Sequence, residues 1–548
     1  MGQPEPLRVR EALDRLVNQF SDPLAFLREL IQNALDAGSQ EVEVSCAFEC
    51  EAEGEAPDDR GVLVIRVQDW GEGMTREVIE TRLTRLFSSA KDGDRTKIGK
   101  FGIGFVSVFA IEPEAVCIDT SRDGESWRVI FNERREFALR RLDRPVDGTE
   151  VRVLKGATRA EAAALITRVG EVARFWCEHV PGEVRVDGEL ITRPLDIDAP
   201  IKAREGGAET EIVVAHLEDG AGSSGFYNRG LTLMRGGGEP FVGIAYKVSS
   251  PTIEHTLTRD SVIMDAGYER AVARVRAAID GPLCSAVFAA LEAQVTRGEG
   301  PPLDYLQRAA SWHLHGGRPL PDDVAARVVL RTPSGAPVTL ATLRDALSGG
   351  EVLVAGEVSP LTTALEARGA VVVQIVDHEQ AVSRGMALLG ALNSRGRGRI
   401  KRVCAGYCMP LPSRGAIEQR RWDPLAAAVA WLIEQIGGKL SGVALAHFDY
   451  PESAIHGRIA VTQREALAIS ELADCRALGL SFFARRRQLV VNADHPAVHG
   501  LVELALVEPE FAAYQLVKLF FLGDRLDAQL DAQLARLTME RRCHRSRS

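Results

Sequence analysis

The spacing of apolar positions changes several times within the first 155 residues. Residues 5–38 place leucine, isoleucine, valine and phenylalanine at helical spacing, with an interruption at Ser21-Asp22-Pro23. Strand-like stretches follow at 41–48 and 62–68, and more strands are predicted around 115–131 and at 146–154. Interleaved helices and short strands of this kind predict one α+β domain over residues 1–155.

The remaining pattern predicts further domains. A helix near 159–180 is expected to open the second domain, with strands near 183–192, 210–217 and 241–247 and helices over 266–296. A Gly/Pro-rich stretch at 316–323 marks a boundary, after which short strands and helices alternate as in a small α/β unit. Helices are predicted again at 423–437 and 508–541. We therefore predict four domains, at residues 1–155, 156–320, 321–390 and 391–548.

Composition and charge narrow the class of protein. The 548 residues are 45% hydrophobic and 26% charged, and no apolar run approaches the ~20 residues that a membrane span requires. Nine scattered cysteines favour reduced thiols and a cytoplasmic location over a disulfide framework. A net charge of −10 makes nucleic acid an unfavourable partner, since phosphate neutralisation needs concentrated basic side chains.

The first candidate motif is the helical segment LRELIQNALDAG. Glu29, Asn33 and Asp36 lie at spacings that place them on one helix face, opposite the apolar side chains. An asparagine oxygen suits Mg²⁺, and a carboxylate one turn earlier can act as a general base on water. An amphipathic surface helix without chemistry would show the same pattern.

Two glycine-containing motifs follow this helix. In VQDWGEGMT, a strand delivers Asp69 to a turn whose Gly71 and Gly73 permit close backbone approach to a ligand. A carboxylate there can accept a hydrogen bond from an exocyclic amine, as adenine offers. In TKIGKFGIGFVSVF, Gly99, Gly102 and Gly104 precede an apolar segment, and bare N–H groups at such a junction bind phosphate oxygens. Each motif alone could be an ordinary turn.

Together and in this order, the three motifs resemble those of the GHKL ATPases, with Gly148-Thr149 matching the family's fourth element, a Gly-Thr strand. Within GHKL, FSDPLAFLRELIQNALDAG and IGKFGIGFVSVF resemble the Hsp90 branch most closely. KVSSPTIEHTLTRDSVI further resembles the Hsp90 middle-domain loop, with Ile263 where the family has glutamine. The resemblance implies a GHKL (Bergerat) ATP-binding sandwich of a mixed sheet and helices, then an α/β middle domain and a smaller C-terminal α+β domain.

The resemblance also implies residue roles and partners. It makes Glu29 the general base, Asn33 the Mg²⁺ ligand, Asp69 the adenine reader and Arg259 the cation that reaches the γ-phosphate. The other implied nucleotide contacts are Asp36, Gly71, Gly73, Met74, Gly99, Lys100, Phe101, Gly102, Ile103, Gly104, Phe105 and Thr149.

The expected function is that of an ATP-driven Hsp90-type chaperone, acting on client proteins as a homodimer joined through its C-terminal domain. The alternative is an ATP-gated clamp or interaction module of the MutL or MORC kind, acting on nucleic acid or in defence.

Overall fold

The chain divides into two compact units, Met1–Leu283 and Cys284–Ser548. The computed structural model describes residue 17 and residues 22–50, 56–84, 103–207, 209–254, 262–315, 318–376, 383–394, 396–475, 487–522 and 526–546. Helices and sheets are mixed in both units, so the predicted α+β fold class is confirmed.

An eight-stranded mixed sheet forms the first part of unit 1, in the order β5-β4-β3-β6-β2-β1-β7-β8. Its strands are β1 Glu41–Glu49, β2 Arg60–Asp69, β3 Ala115–Arg122, β4 Glu125–Asn132, β5 Phe137–Arg141, β6 Thr149–Thr158, β7 Glu183–Val186 and β8 Glu189–Leu190. The helices are α1 Phe26–Asp36, α2 Arg76–Val78, α3 Ile103–Val106 and α4 Arg159–Cys177, with a π turn at Ile79–Leu83 and a 3-10 turn at Ser107–Ile111.

Alternating side chains put one face of this sheet into a shared core with the helices. Val42 and Val44 of β1 and Ile65 of β2 are fully buried, as alternation along a half-buried strand requires. From α1, Leu27 and Ile31 enter the same core, which is the apolar face expected from the sequence. Helix α1 therefore packs on the sheet through its apolar face.

The sheet continues beyond residue 155. Helix α4 begins with a capping box between Thr158 and Glu161, and its residues Val169 and Ala173 pack into the core of the eight-stranded sheet. Strand β7 then pairs with β1 in parallel. The eight-stranded sheet on which α1 packs therefore includes strands up to Leu190. The four domain boundaries remain predictions.

A five-stranded sheet completes unit 1, in the order β12-β11-β13-β10-β9. Its strands are β9 Ile201–Gly206, β10 Glu211–His216, β11 Ser223–Asn228, β12 Leu231–Gly236 and β13 Ala245–Ser249, and they are followed by α5 Ala266–Ala278 and a π turn at Ile279–Leu283.

Unit 2 begins with helices and a small parallel sheet, in the order β17-β16-β18. Its first elements are α6 Cys284–Arg297, α7 Leu303–Leu314, a 3-10 turn at Asp322–Val324, β14 Val328–Arg331, β15 Pro337–Thr339, α8 Leu340–Gly349, β16 Glu351–Ala355, α9 Pro360–Ala367, β17 Val372–Gln374, α10 Arg384–Leu392 and β18 Arg399–Arg402. Strand β14 pairs with β15 outside that sheet.

The second part of unit 2 packs helices on the sheet β20-β23-β21. Its elements are α11 Val403–Gly406, β19 Tyr407–Cys408, α12 Ala416–Gln435, β20 Leu440–Ala446, β21 Ala460–Gln463, β22 Ser470–Glu471, β23 Arg487–Asn492, α13 Pro496–Ala505, α14 Pro509–Phe521 and α15 Ala528–Arg545. Over the described ranges, we find no helix that is both long and apolar enough to cross a membrane.

Candidate functional site

Helix α1 carries a buried carboxylate at Glu29, whose exposed fraction is 5%. Its Oε2 lies so close to the Cα of Gly104, in α3, that a Cβ added there would collide with it. Asn33 and Asp36 continue the same helix face and are exposed. The helix therefore presents a carboxylate at depth and, one turn later, an amide within reach of solvent.

Arg28 holds the other oxygen of Glu29, and sequence reasoning assigned it no role. Its Nη2 and Nε lie 3.2 and 3.3 Å from Oε1 of Glu29, and its guanidinium lies 4.6 Å from the ring centre of Trp176 in α4. Arginine is suited to such a place because it can stack on an aromatic face while donating hydrogen bonds. Helix α4 thus helps to position the candidate catalytic carboxylate.

Asp69 ends β2 opposite Thr149 of β6. Burial raises the pKa of its carboxyl, whereas hydrogen bonds from the backbone N–H groups of Gly71 and Thr149 act in the opposite direction. The Gly71 bond measures 2.8 Å. The carboxylate is therefore half-buried and fixed by backbone donors, which suits an acceptor for a ligand amine.

Close backbone approaches surround this carboxylate. A Cβ added to Gly73 would collide with the carbonyl oxygen of Ser121, and one added to Gly148 would collide with that of Asp69. Both glycines also have positive φ, of 70° and 66°. Gly73 therefore lets the turn after β2 approach the end of β3, and Gly148 lets the turn before β6 approach the end of β2.

Thr120 and Gln68 tie these turns together, and the sequence analysis missed both. The Thr120 hydroxyl accepts from the Met74 N–H at 2.9 Å and lies 3.0 Å from the hydroxyl of Thr149. The Gln68 amide donates to the carbonyl oxygens of Asp69 and Asp147 at 3.0 and 2.9 Å. The available signal was a threonine, Thr120, among the apolar residues of a predicted strand. A hydroxyl that such a strand buries needs a hydrogen-bond partner.

Apart from Asn33 and Asp36 on the exposed face of α1, the predicted site residues fall into four groups. Glu29 and Gly104 are in contact, and the turn with Asp69, Gly71, Gly73 and Met74 is linked by hydrogen bonds to Thr149 of β6. Phe105 lies in the core, its ring centre 5.6 Å from that of Phe131. Gly99, Lys100, Phe101, Gly102, Arg259 and the side chain of Ile103 lie outside the described residues.

The chemistry of the donors fits ATP with Mg²⁺. The exposed Asn33 amide offers a hard oxygen ligand, and such an ion takes most of its other ligands from water and phosphate. The half-buried Asp69 carboxylate, which accepts from the N–H groups of Gly71 and Thr149, offers an acceptor for the adenine amine. The residue roles themselves remain predictions.

Comparison with known proteins identifies the domain. Residues 24–140 match the family described as "Histidine kinase-, DNA gyrase B-, and HSP90-like ATPase". Among curated relatives, the protein named "Chaperone protein HtpG" of Methylobacterium nodulans is 30% identical over 206 residues, covering 34% of this chain and 33% of the relative. Proteins of the same name from Bacteroides thetaiotaomicron and Methylococcus capsulatus are each 29% identical, over 177 and 165 residues.

These matches cover 30% of this chain and 26% of the relative for Bacteroides thetaiotaomicron, and 26% of each for Methylococcus capsulatus. They span about a third or less of the length of each relative. The carboxylate helix, the Asp69 turn and the start of α3 all lie inside the matched residues. Residues 24–140 therefore form a GHKL ATPase domain, and about a third of the chain is similar to proteins named "Chaperone protein HtpG".

Proposed function

We propose that this protein is an ATP-dependent molecular chaperone of the Hsp90 type, which hydrolyses ATP to ADP and phosphate. The observation that carries the proposal is the buried carboxylate of Glu29, which lies against Gly104 one helical turn before the exposed amide of Asn33. The relatives named "Chaperone protein HtpG" support the chaperone role.

Each residue of the site has one task in this proposal. Glu29 accepts a proton from the attacking water, and Arg28 keeps that carboxylate in place. Asp69 accepts a hydrogen bond from the adenine amine, and its backbone donors keep it oriented. Asn33 holds Mg²⁺, which when bound offsets the negative charge of the phosphates. Arg259 supplies a further cation in the proposal.

The proposal extends to the whole molecule. ATP binding favours a closed form of a cytoplasmic homodimer joined through residues 391–548, and hydrolysis releases that form. Nucleotide shifts such an equilibrium only through its different affinities for the two forms. Client proteins bind to the clamp, and the acidic net charge of −10 supports clients over nucleic acid.

The decisive experiment measures ATP turnover, nucleotide affinity and suppression of aggregation of a heat-unfolded client. We expect Glu29→Gln to retain ATP binding and to lose turnover by about 10²–10⁴-fold, because a general base contributes that much. Asp69→Asn should lose ATP binding itself. Glu133→Gln serves as a control, since Glu133 is an exposed carboxylate of the same domain.

Normal turnover by the Glu29→Gln protein would contradict the assignment of the base. ATP-dependent client protection that disappears in this variant would support the chaperone role. Tight DNA binding that weakens steeply with salt, without client protection, would favour the nucleic-acid clamp instead.

A further inference from the structure

Two cysteines of unit 2 lie side by side although they are 67 residues apart in the sequence. The Sγ atoms of Cys408 and Cys475 are 3.2 Å apart. Cys408 lies in β19, which pairs with β22, and Cys475 follows β22 in a turn whose N–H groups return to Glu471 and Leu472. Strand pairing therefore brings the two thiols together.

Both thiols are removed from solvent. The exposed fractions are 0% for Cys408 and 3% for Cys475, and both belong to a core that also contains Leu353 and Val490. An oxidant the size of glutathione cannot reach sulfur atoms buried to this extent, whereas a molecule close to water in size can enter after a small local opening.

The polar surroundings differ between the two sulfur atoms. A hydrogen bond from Cys408 lowers the pKa of the Cys475 thiol; burial opposes this effect, and Gln463 and the charge of Arg487 add to it. The thiolate is the reactive form of cysteine. This difference favours Cys475 as the attacking group and Cys408 as the resolving group, while the 3.2 Å separation of the sulfur atoms is what permits the pair to react.

We propose that Cys408 and Cys475 form a reversible oxidation site that reacts with hydrogen peroxide to give an intramolecular disulfide. A disulfide requires an S–S distance of about 2.05 Å, so the sulfur atoms need to approach each other by only about 1 Å from their present positions. Neither the family match nor the curated relatives assign this role to the pair.

The reaction balances in two steps. The Cys475 thiolate attacks one oxygen of hydrogen peroxide, the O–O bond breaks, and hydroxide leaves, which makes Cys475 a sulfenic acid. The Cys408 sulfur then attacks the Cys475 sulfur, the S–O bond breaks, and the oxygen leaves as water with the Cys408 proton. Two thiols are oxidised and one peroxide is reduced to two waters. A dithiol reductant reverses the change and becomes a disulfide itself.

The test uses the full-length protein treated with hydrogen peroxide and then unfolded for thiol titration and peptide mapping. We expect the thiol count to fall by two from nine, with a peptide containing a Cys408–Cys475 cross-link and a mass loss of two hydrogen atoms. Dithiothreitol should restore all nine thiols.

Two variants make the assignment specific. Cys408→Ser should lose the cross-link and leave Cys475 to oxidise beyond the sulfenic acid, with Cys408→Ala as the substitute if the serine protein does not fold. Cys404→Ser is the matched control, because Cys404 is half-buried and precedes Cys408 closely in the sequence, in α11. This variant should keep the cross-link.

Three outcomes overturn the proposal. In the first, both thiols of the wild-type protein survive peroxide unchanged. In the second, Cys475 becomes a sulfinic acid and no cross-link forms. In the third, either cysteine forms a disulfide with a different cysteine. Each can be read from the wild-type peptide map alone.

Discussion

At the scale of single residues, the candidate site depends on backbone contacts that glycine alone permits. Gly148 combines a φ of 66° with a Cα that lies against the carbonyl of Asp69. Gly124 has a φ of 80° but no neighbouring atom within 4 Å of an added Cβ. Both positions therefore require a positive φ, but only Gly148 also lies too close to a neighbouring backbone for a side chain.

This difference gives the first prediction. Gly148→Ala should lower the free energy of unfolding by more than the roughly 1 kcal/mol that a left-handed alanine costs, and should weaken ATP binding because the Asp69 turn must move. Denaturant titration and nucleotide titration measure the two effects. Gly124→Ala should show the conformational cost without any loss of ATP affinity.

Equal loss of affinity in both glycine variants would mean that the position of the Asp69 turn does not control nucleotide binding. The effect of Gly148→Ala on ATP affinity must therefore exceed that of Gly124→Ala at the same temperature and salt concentration.

Sequence spacing predicted which face of α1 is polar but could not predict how deep each residue lies. Glu29 and Asn33 are one turn apart on that face, yet Glu29 is buried and Asn33 is exposed. Glu29 contacts Gly104, which is distant in the sequence, and Arg28, which the sequence analysis treated only as part of a family motif. Tertiary contacts determine how buried each side chain is, so helical periodicity alone cannot predict it.

At the scale of elements, a charged cluster joins the end of α4 to the five-stranded sheet. The buried Glu178 caps α4 and bonds Arg193 at 2.6 Å, and it also pairs with Arg235 of β12. His179 Nε2 lies 3.1 Å from the same carboxylate. Burial alone would raise the pKa of Glu178, but hydrogen bonds from His179 and the arginines hold it well below the ordinary value.

A depressed pKa in the folded state predicts a stability that depends on pH. The contribution of Glu178 is fully present above its ordinary pKa of 4.5, and it is lost as the pH falls through the lower folded value. Glu178→Gln should therefore cost about 1–3 kcal/mol at neutral pH, because it removes charged hydrogen bonds. This cost should shrink as the pH drops below 4.5.

Urea denaturation at several pH values measures this dependence. Glu189→Gln is the control, since Glu189 also pairs with an arginine of α4, at 2.6 Å, but is 69% exposed. Exposed pairs contribute little, so that variant should stay close to wild type throughout. A Glu178→Gln cost that does not change with pH would contradict the electrostatic explanation.

Element types were largely predictable from the sequence, whereas element partners were not. The spacing of Val184 and Val186 predicts a strand near 183–192, but it does not show that β7 joins β1 in parallel. That pairing joins two segments on either side of α4 that are far apart in the sequence, so local pattern does not contain it. Similarly, local pattern gave no sign that Cys408 would meet Cys475, because the pairing of β19 with β22 is non-local.

At the scale of the whole molecule, exposed apolar side chains in the C-terminal helices support the proposed dimer. The group comprises Leu506, Val507, Phe511, Leu522 and Met539, and Val507 is 71% exposed. Exposed apolar residues that form a contiguous patch are typical of association surfaces, and these five lie between residues 506 and 539 of the sequence. Since residues 391–548 are the proposed dimerisation domain, these side chains are candidates for the interface.

Val507→Asp should convert the dimer to a monomer, because association would remove a charged carboxylate from water, at a cost of several kcal/mol. Light scattering at several protein concentrations measures the change from two chains to one. Val242→Asp is the matched control, since Val242 is also 71% exposed but lies in unit 1, and that variant should keep the mass of the wild-type protein.

The two valine variants also separate dimerisation from catalysis. Glu29 and Asp69 lie in unit 1 and Val507 lies in unit 2, so Val507→Asp should keep its affinity for ATP while client protection falls with the loss of the dimer. A wild-type protein that scatters as a monomer with and without nucleotide would contradict the clamp. The proposed roles of Glu29 and Asp69 would survive that result, because they depend on contacts inside the first sheet and its helices.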